Sequence, residues 1–413
     1  MYTISIQWHD KFMEELLNMK KIIQFIPSLV FGGAETIVKE YTRLLDKNKY
    51  KVYVLLLGKR NNSVYEQYIG NLKNVEVISI GDILERDYHL SSIDLINRLY
   101  YKLHRNEVIE RIINKIKPDV IHVHLELLRY LTFLEKTEIK IFYTVHSEVK
   151  AIFSEMNVFK LYGWSVARNV MRIRKRVTHC KEKKAADILL ASGNLTFIAL
   201  HERMKRELQD LFYTDKVVVL KNGIDFKRFK RRENINYSKR KEIGIPDNRF
   251  VIGNVGWLHR DKNPFFMIDI AHAMVEKNIN AHLLLIGSGD LKSDLINYAM
   301  KLKILDRITI LSDRSDIPEL LGMMNVFVFP ALYEGLPISL VEAQAVGLKC
   351  VVADHITSEV FLSDKYYRVS LEASLNTWCN MIYDKLPLLS EYNDITLFDM
   401  NKVVKELEGL YDE

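Results

Sequence analysis

Cysteine is scarce in this chain: three in 413 residues, at Cys180, Cys350 and Cys379. That number is odd and the spacing wide, which excludes a disulfide framework or a cysteine metal cluster and fits a reducing cytoplasm. No apolar run approaches about 18 residues, so no transmembrane helix is expected. The N-terminus carries Asp10, Glu14 and Glu15 and lacks a continuous apolar segment, which argues against a secretory signal. No internal repeat and no low-complexity stretch is present. A full G-x-G-x-x-G is missing, so a Rossmann dehydrogenase is not supported. No D-x-D stands at a strand end, which points to chemistry without a metal, protein cations taking that place. No cofactor is expected.

What is present is an ordinary globular composition, 48% hydrophobic and 27% charged. At 413 residues the chain is too long for one core, and two domains are the natural expectation. The formal net charge is only +6, but the cations are bunched. Residues 168–184 hold Arg168, Arg172, Arg174, Lys175, Arg176, Lys181, Lys183 and Lys184 against one acid, Glu182. Val170, Met171, Ile173 and Val177 are interleaved among them. Such a pattern serves either as a solvated helix face or as a contact with an anionic membrane surface. A second bunch, Lys227–Arg232 followed by Lys239–Lys241, admits the same two readings. Nucleic acid is not an expected partner, because no recognition motif accompanies the charge.

Residues 1–20 precede the first strand, either as a short helix or as sequence upstream of a start at Met19. A first domain then spans 21–213. It opens with the strand Lys21–Ile26, the loop PSLVFGG (27–33) and a helix from Ala34 to Leu45. Further strands read as 51–57, 75–80, 119–124, 139–145 and 187–191, with helices at 93–116 and 195–212. Strands alternating with helices predict a parallel sheet covered on both faces. A second domain covers 214–390 and opens with the boundary stretch between Tyr213 and Asn248, which holds Asn222-Gly223 and Gly244-Ile245-Pro246-Asp247. The remainder, 391–413, contains an amphipathic helix from Asp399 to Tyr411.

The most informative stretch is EGLPISLVE, residues 334–342. A short strand, Asn325–Pro330, precedes it. Gly335 and Pro337 break the chain, and Ser339–Ala345 winds as a helix with Pro337 suited to its first turn. Such a helix start presents free N–H groups and a positive dipole end, which suit a phosphate. Glu334 and Glu342 would then stand on the order of 10 Å apart, about the span from a sugar ring across a diphosphate to a ribose. Two glutamates flanking a helix start also occur on plain solvated surfaces, so the spacing alone decides nothing. The strand Ala281–Ile286 running into Gly287-Ser288-Gly289, where backbone can approach a ligand closely, favours the nucleotide reading.

Five segments carry a resemblance: VVLKNGIDFKRF (218–229), IGNVGWLHRDKNP (252–264), LLLIGSGD (283–290), DIPELLGMMNVFVFPALYEGLPISLVEAQAVG (316–347) and ITSEV (356–360). In this order and spacing they resemble the C-terminal half of family four of the retaining glycosyltransferases, of the type that builds bacterial exopolysaccharide and capsule. The resemblance implies the GT-B architecture: two Rossmann-like doubly wound domains facing a cleft, with the C-terminal helix crossing back to the first. It implies a nucleotide-sugar donor, UDP-linked, and a polysaccharide or polyprenyl-linked acceptor in the first domain. It further implies Glu342 on the ribose, the backbone of Gly335, Leu336, Pro337 and Ile338 on the phosphates, Glu334 on the sugar, and Lys262 beside Gly256 on the leaving diphosphate. Peripheral contact with the inner face of the plasma membrane goes with such an acceptor.

Three first-domain features take their meaning from the same resemblance. Gly32-Gly33 by itself makes a tight turn; the family puts this loop near donor phosphates and acceptor. Glu35 either touches the acceptor or favours the helix N-terminus. His146 ends a strand at its carboxyl edge, where a histidine is either a hydrogen-bonded structural group or, by the resemblance, a contact to the transferred sugar. His122 and His124 share one strand face. A metal pair there lacks a third ligand, and the family makes this strand end cleft wall. The chain departs from the family at Trp257, which stands where an arginine usually follows the glycine. Arg260 is the expected substitute. Two rivals remain: a catalytically silent GT-B subunit supporting a partner transferase, and a nucleotide-sugar epimerase.

Overall fold

The structure, a computed structural model, describes residues 19–30, 32–88, 94–153, 166–362, 366–383 and 395–413, with backbone alone at 88, 94–99 and 166–175. The N-terminal extension through residue 18, the expected domain end near 390, and the side chains of Arg168, Arg172, Arg174 and Lys175 lie outside the described residues. The chain forms two units. The first comprises residues 34–220 with β1 and residues 404–413; the second comprises 221–403 with Gly32 and Gly33.

In the first unit seven parallel strands stand in the order β3-β2-β1-β4-β5-β6-β7. They are β1 (Lys20–Ile26), β2 (Tyr50–Leu56), β3 (Val75–Ser79), β4 (Val120–His124), β5 (Lys140–Thr144), β6 (Leu195–Ala199) and β7 (Val217–Val219). β1 lies between β2 and β4, with Ile22 opposite both Val52 and Val120. The central strands are buried on both faces, as a parallel sheet covered by helices requires. Those helices include α1 (Gly33–Leu44), α2 (Asp94–Ile116), α3 (Val166–Ala191) and α4 (Glu202–Phe212).

Two expectations are corrected here. Residues 187–191 are the end of α3 and not a strand, while residues 195–199 are a strand and not the start of a helix. The apolar run Ile188–Ala191 is too short for its period to choose, and the decisive signal is Gly193, whose φ of +80° ends the helix. The first unit also runs past Tyr213 to Leu220, because Val217–Val219 pairs with β6 as an edge strand.

The second unit holds six parallel strands in the order β10-β9-β8-β11-β12-β13: β8 (Phe250–Val255), β9 (Ala281–Ile286), β10 (Ile308–Leu311), β11 (Val326–Phe329), β12 (Lys349–Ala353) and β13 (Tyr367–Val369). Its helices include α5 (Pro264–Glu276) and α6 (Ile338–Ala345). Strand order reverses between β8 and β11, and the crevice outside their carboxyl ends is where such sheets take ligands. The last helix, α7 (Met400–Asp412), begins in the second unit and ends in the first. Its start is clamped by Gly223-Ile224: Ile224 donates its N–H to Phe398 and accepts one from Met400. A Cβ on Gly223 would come 2.7 Å from Met400 Cα.

In the second basic bunch Lys227, Arg228, Lys230, Arg231 and Lys241 stay exposed, but two of its arginines turn inward. Arg240 is 1% exposed. Its guanidinium donates to the carbonyls of Met323 (2.9 Å), Asp247 and Arg249 (3.0 Å each) and to Asn325 Oδ1 (2.7 Å). Arg232 donates to Gly322 O at 2.7 Å and to Met324 O, and burial brings its pKa down to about 10. The two arginines therefore pair the carbonyls of the chain entering β11, which would otherwise be buried without donors. Arg240→Met keeps the stem and removes the donors; it is expected to lower stability by about 3 kcal/mol in urea unfolding. A loss within 0.5 kcal/mol, the size usual for a surface change, would return Arg240 to the solvated face.

Candidate active site

The crevice is built from two loops. After β8, Gly256 and Trp257 lead into a single 3-10 turn, Arg260–Lys262, entered through His259 and ended at Asn263, whose φ is +55°. After β11, Pro330 leads through Glu334 to α6. The loops are joined where Leu332 donates to Asp261 O at 2.7 Å. Behind them the loop after β9 presses on the first: Leu258 N–H reaches Ser288 O at 2.8 Å. A Cβ on Gly287 would fall 1.9 Å from Gly256 O, and one on Gly289 2.4 Å from Leu258 O. The glycines of GSG thus serve loop packing, and only backbone fits there.

Lys262 and Glu334 form an ion pair, their side chains 24% and 10% exposed. The Lys262 stem passes Gly256, where a Cβ would lie 3.9 Å from its Cγ. Burial pushes the Lys262 ammonium down to about 8, against the pull of Asp261, so it remains a cation at neutral pH. Arg260 is half-buried on the same turn, and among the described residues its guanidinium makes no hydrogen bond or ion pair. Trp257 is half-buried beside it.

α6 starts at Pro337, which offers no side-chain cap, so the first-turn N–H groups at Ile338 and Ser339 keep their positive end. Asn222 Nδ2 steadies this turn by donating to Leu336 O at 3.3 Å. Glu342 sits in the helix, 9% exposed. Gln344, two residues on, donates to Val360 O (3.1 Å) and accepts from Leu362 N (2.9 Å), holding the ITSEV segment against α6. Lys262, Glu334, Gly256 and the α6 start are thus gathered in one crevice.

His146 lies in the first unit, just beyond β5. His122 and His124 are 0% exposed, so the expectation of cleft wall is corrected: both are core histidines. They belong to a polar chain with Gln24, Thr144 and Tyr411, three residues that sequence reading missed. Burial holds His122 and His146 down to about 3 and His124 well below its usual range; all three are neutral. Glu35, in the first turn of α1, is buried and its carboxyl is raised to about 7. Among the described residues no group of three or more His, Cys, Asp or Glu could hold a metal.

Two family models match the chain: Glycosyltransferase Family 4 over residues 31–228 and Glycosyl transferases group 1 over residues 236–371. The chain belongs to the family 4 glycosyltransferases. This transferase is 26% identical over 374 residues to EpsF of Bacillus subtilis (strain 168), a protein named as a glycosyltransferase, covering 88% of this chain and 87% of that one. Over 176 residues it is 34% identical to an Escherichia coli enzyme named UDP-Gal:alpha-D-GlcNAc-diphosphoundecaprenol alpha-1,3-galactosyltransferase, which is 41% of this chain and 46% of that enzyme. The solved structure of Anabaena HepE with UDP-glucose matches with a TM-score of 0.66 at 16% identity, over 95% of this chain and all of that one. That likeness shows the GT-B fold. The chain is therefore a GT-B glycosyltransferase acting on nucleotide sugars.

The lowered pKa of Lys262 sets a pH limit. Its positive charge is present below about pH 8 and lost above, so affinity for UDP is expected to fall as pH rises from 7 to 9.5, approaching tenfold per unit. Lys262→Arg should move the fall beyond that range, since a guanidinium stays charged. Calorimetric titration of UDP at stepped pH reads this; a flat wild-type profile would detach Lys262 from the phosphates.

Proposed function

We propose that this transferase moves a sugar from a UDP-linked donor, with retention and without a metal, onto a polyprenyl-diphosphate-linked or polysaccharide acceptor in exopolysaccharide or capsule assembly. The observation that carries the donor half is the Lys262–Glu334 ion pair at the β8/β11 switch point, beside an uncapped helix start. Glu342 takes the ribose hydroxyls, the backbone of Gly335–Ile338 the phosphates, and Glu334 the sugar. When the diphosphate departs, its growing charge falls to Lys262 and Arg260, because a preorganised cation acts most where charge develops. His146 contacts the transferred sugar and Gly32-Gly33 lets backbone approach the phosphates. Retention follows if the acceptor attacks on the face that the leaving group departs from. The donor and acceptor classes are supported by the name of the Escherichia coli relative.

The acceptor and membrane half is supported by the first unit. Glu182, the one acid of the basic bunch, is fully buried; it pairs with Arg129 and accepts from Leu128 N at 2.9 Å. With that acid turned inward, Arg176, Lys181 and Lys184 stay exposed on α3 beside exposed Val177. A cavity of about 1010 Å³ between α2 and α3 is lined by Lys102, Arg105, Arg129, Lys181 and Lys184, with no carboxylate among the described residues of its wall. Two of these guanidiniums sit over the Tyr130 ring, at 4.7 and 4.6 Å. That wall suits an anionic headgroup. Trp257 favours one second reading, a catalytically silent subunit that binds the nucleotide sugar; turnover of any labelled UDP-sugar excludes it.

Two measurements test the reading. In kinetics and calorimetry, Glu342→Ala should weaken UDP by about 1.5–3 kcal/mol, whereas Arg260→Ala should lower kcat far more than it raises KM; unchanged UDP affinity in the first, or unchanged kcat in the second, removes that residue from its role. For the membrane, the wild type should sediment with anionic vesicles at low salt and not with neutral ones. The Lys181→Glu/Lys184→Glu variant should lose most of that binding, each basic residue contributing about 1 kcal/mol. Equal partition onto neutral vesicles, or none onto either, contradicts it.

A further inference from the structure

The buried polar chain in the first unit has a direction. His146 Nε2 lies 3.0 Å from His124 Nδ1, His124 Nε2 lies 2.8 Å from Gln24 Oε1, and Gln24 Nε2 donates to Tyr411 Oη at 2.9 Å. Tyr411 Oη lies 2.7 Å from His122 Nδ1, and His122 Nε2 lies 2.7 Å from Thr144 Oγ1. Each neutral imidazole has one N–H and one lone pair, so every link constrains the next. The Gln24 oxygen can only accept, so His124 carries its proton on Nε2 and leaves Nδ1 bare. A bare Nδ1 must receive a proton donor, and His146 supplies it from Nε2. On the other side, Tyr411 accepts from Gln24 and gives its own proton to His122 Nδ1, whose Nε2–H then serves Thr144. All five bonds are satisfied with all three rings neutral, the state that their burial enforces.

We infer that Tyr411, near the end of α7, is a positioning residue for His146: acting through Gln24 and His124, it fixes the His146 tautomer with the proton on Nε2 and Nδ1 left as a hydrogen-bond acceptor. The inference rests on the reading that His146 contacts the transferred sugar. A ligand group that meets Nδ1 must then be a donor, a sugar hydroxyl, and a sugar that presents a carboxylate there is rejected lone pair against lone pair. The C-terminal helix is thereby part of the machinery that prepares the site. Its last turn is pinned for this: Lys20 Nζ donates to Tyr411 O at 2.6 Å and Tyr50 Oη to Asp412 Oδ1 at 2.9 Å.

The test is ¹⁵N imidazole spectroscopy of the full-length protein at pH 7.5, with His146 assigned by the loss of its signals in His146→Gln. The wild type should show a protonated Nε2 and a bare Nδ1 on His146. Tyr411→Phe keeps the ring's packing on Phe142 and Tyr50 but frees Gln24, so the two His146 nitrogen shifts should move toward each other. Gln24→Leu should do the same, and the double variant should go no further than either alone. With UDP-glucose as the probe, Tyr411→Phe should lower the kcat of its slow hydrolysis at least fivefold while KM changes less than twofold. A wild-type His146 carrying its proton on Nδ1, or an unmoved tautomer in both variants, overturns the relay. A tautomer that moves without a change in kcat upholds the relay and overturns the sugar contact alone.

Discussion

An ammonium and a carboxylate held together in a half-dry crevice are the constraint on which the second unit depends. Lys262 and Glu334 come from loops after two different strands, 72 residues apart. Neither charge is affordable there alone, because removing one partner leaves the other without solvation. Their pairing is therefore preformed, with cation and acid already matched across two loops. Under the proposed function, a diphosphate entering beside α6 would give the cation a stronger partner and release the acid toward the sugar. Burial lowers the Lys262 ammonium toward neutrality against the pull of Asp261.

Most of the surrounding structure holds those two loops still. Gly287 and Gly289 admit backbone where any side chain would collide. Asn254 Nδ2 donates to Val328 O at 2.8 Å, tying β8 to β11 from within. Arg232 and Arg240 pair the carbonyls of the chain that enters β11, so β11 delivers its loop at a fixed height. The first unit solves a comparable problem with neutral groups. Its three histidines stay uncharged and pass one hydrogen-bond direction from Tyr411 to His146.

The sheet class, the two-unit division and the second-unit residues that the structure gathers beside Lys262 were legible because their signals are local. Apolar runs mark strands, Pro337 marks a helix start, and EGLPISLVE lies within nine residues. What stayed hidden depends on partners distant in the chain. Tyr411 meets Gln24 across 387 positions, and nothing near either residue announces the other. Arg240 looked like one more surface cation because composition cannot show which carbonyls lack a donor. Likewise Glu182, a lone acid among cations, gives no sign in sequence that it faces inward. The slip at residues 187–199 has a simpler cause: the short apolar run Ile188–Ala191 fits either period, and only the Gly193 turn separates helix from strand.

The central claim is that the Lys262 cation is surrendered to the diphosphate of a nucleotide. Calorimetric titration of UDP and of UMP into the wild type and into Lys262→Ala, at pH 7.0, tests it most directly. The account predicts that the wild type binds UDP at least tenfold more tightly than UMP, an advantage of about 1.4 kcal/mol, and that Lys262→Ala erases most of it. Equal affinity for the two nucleotides in the wild type, or an advantage that survives the loss of Lys262, would contradict the account.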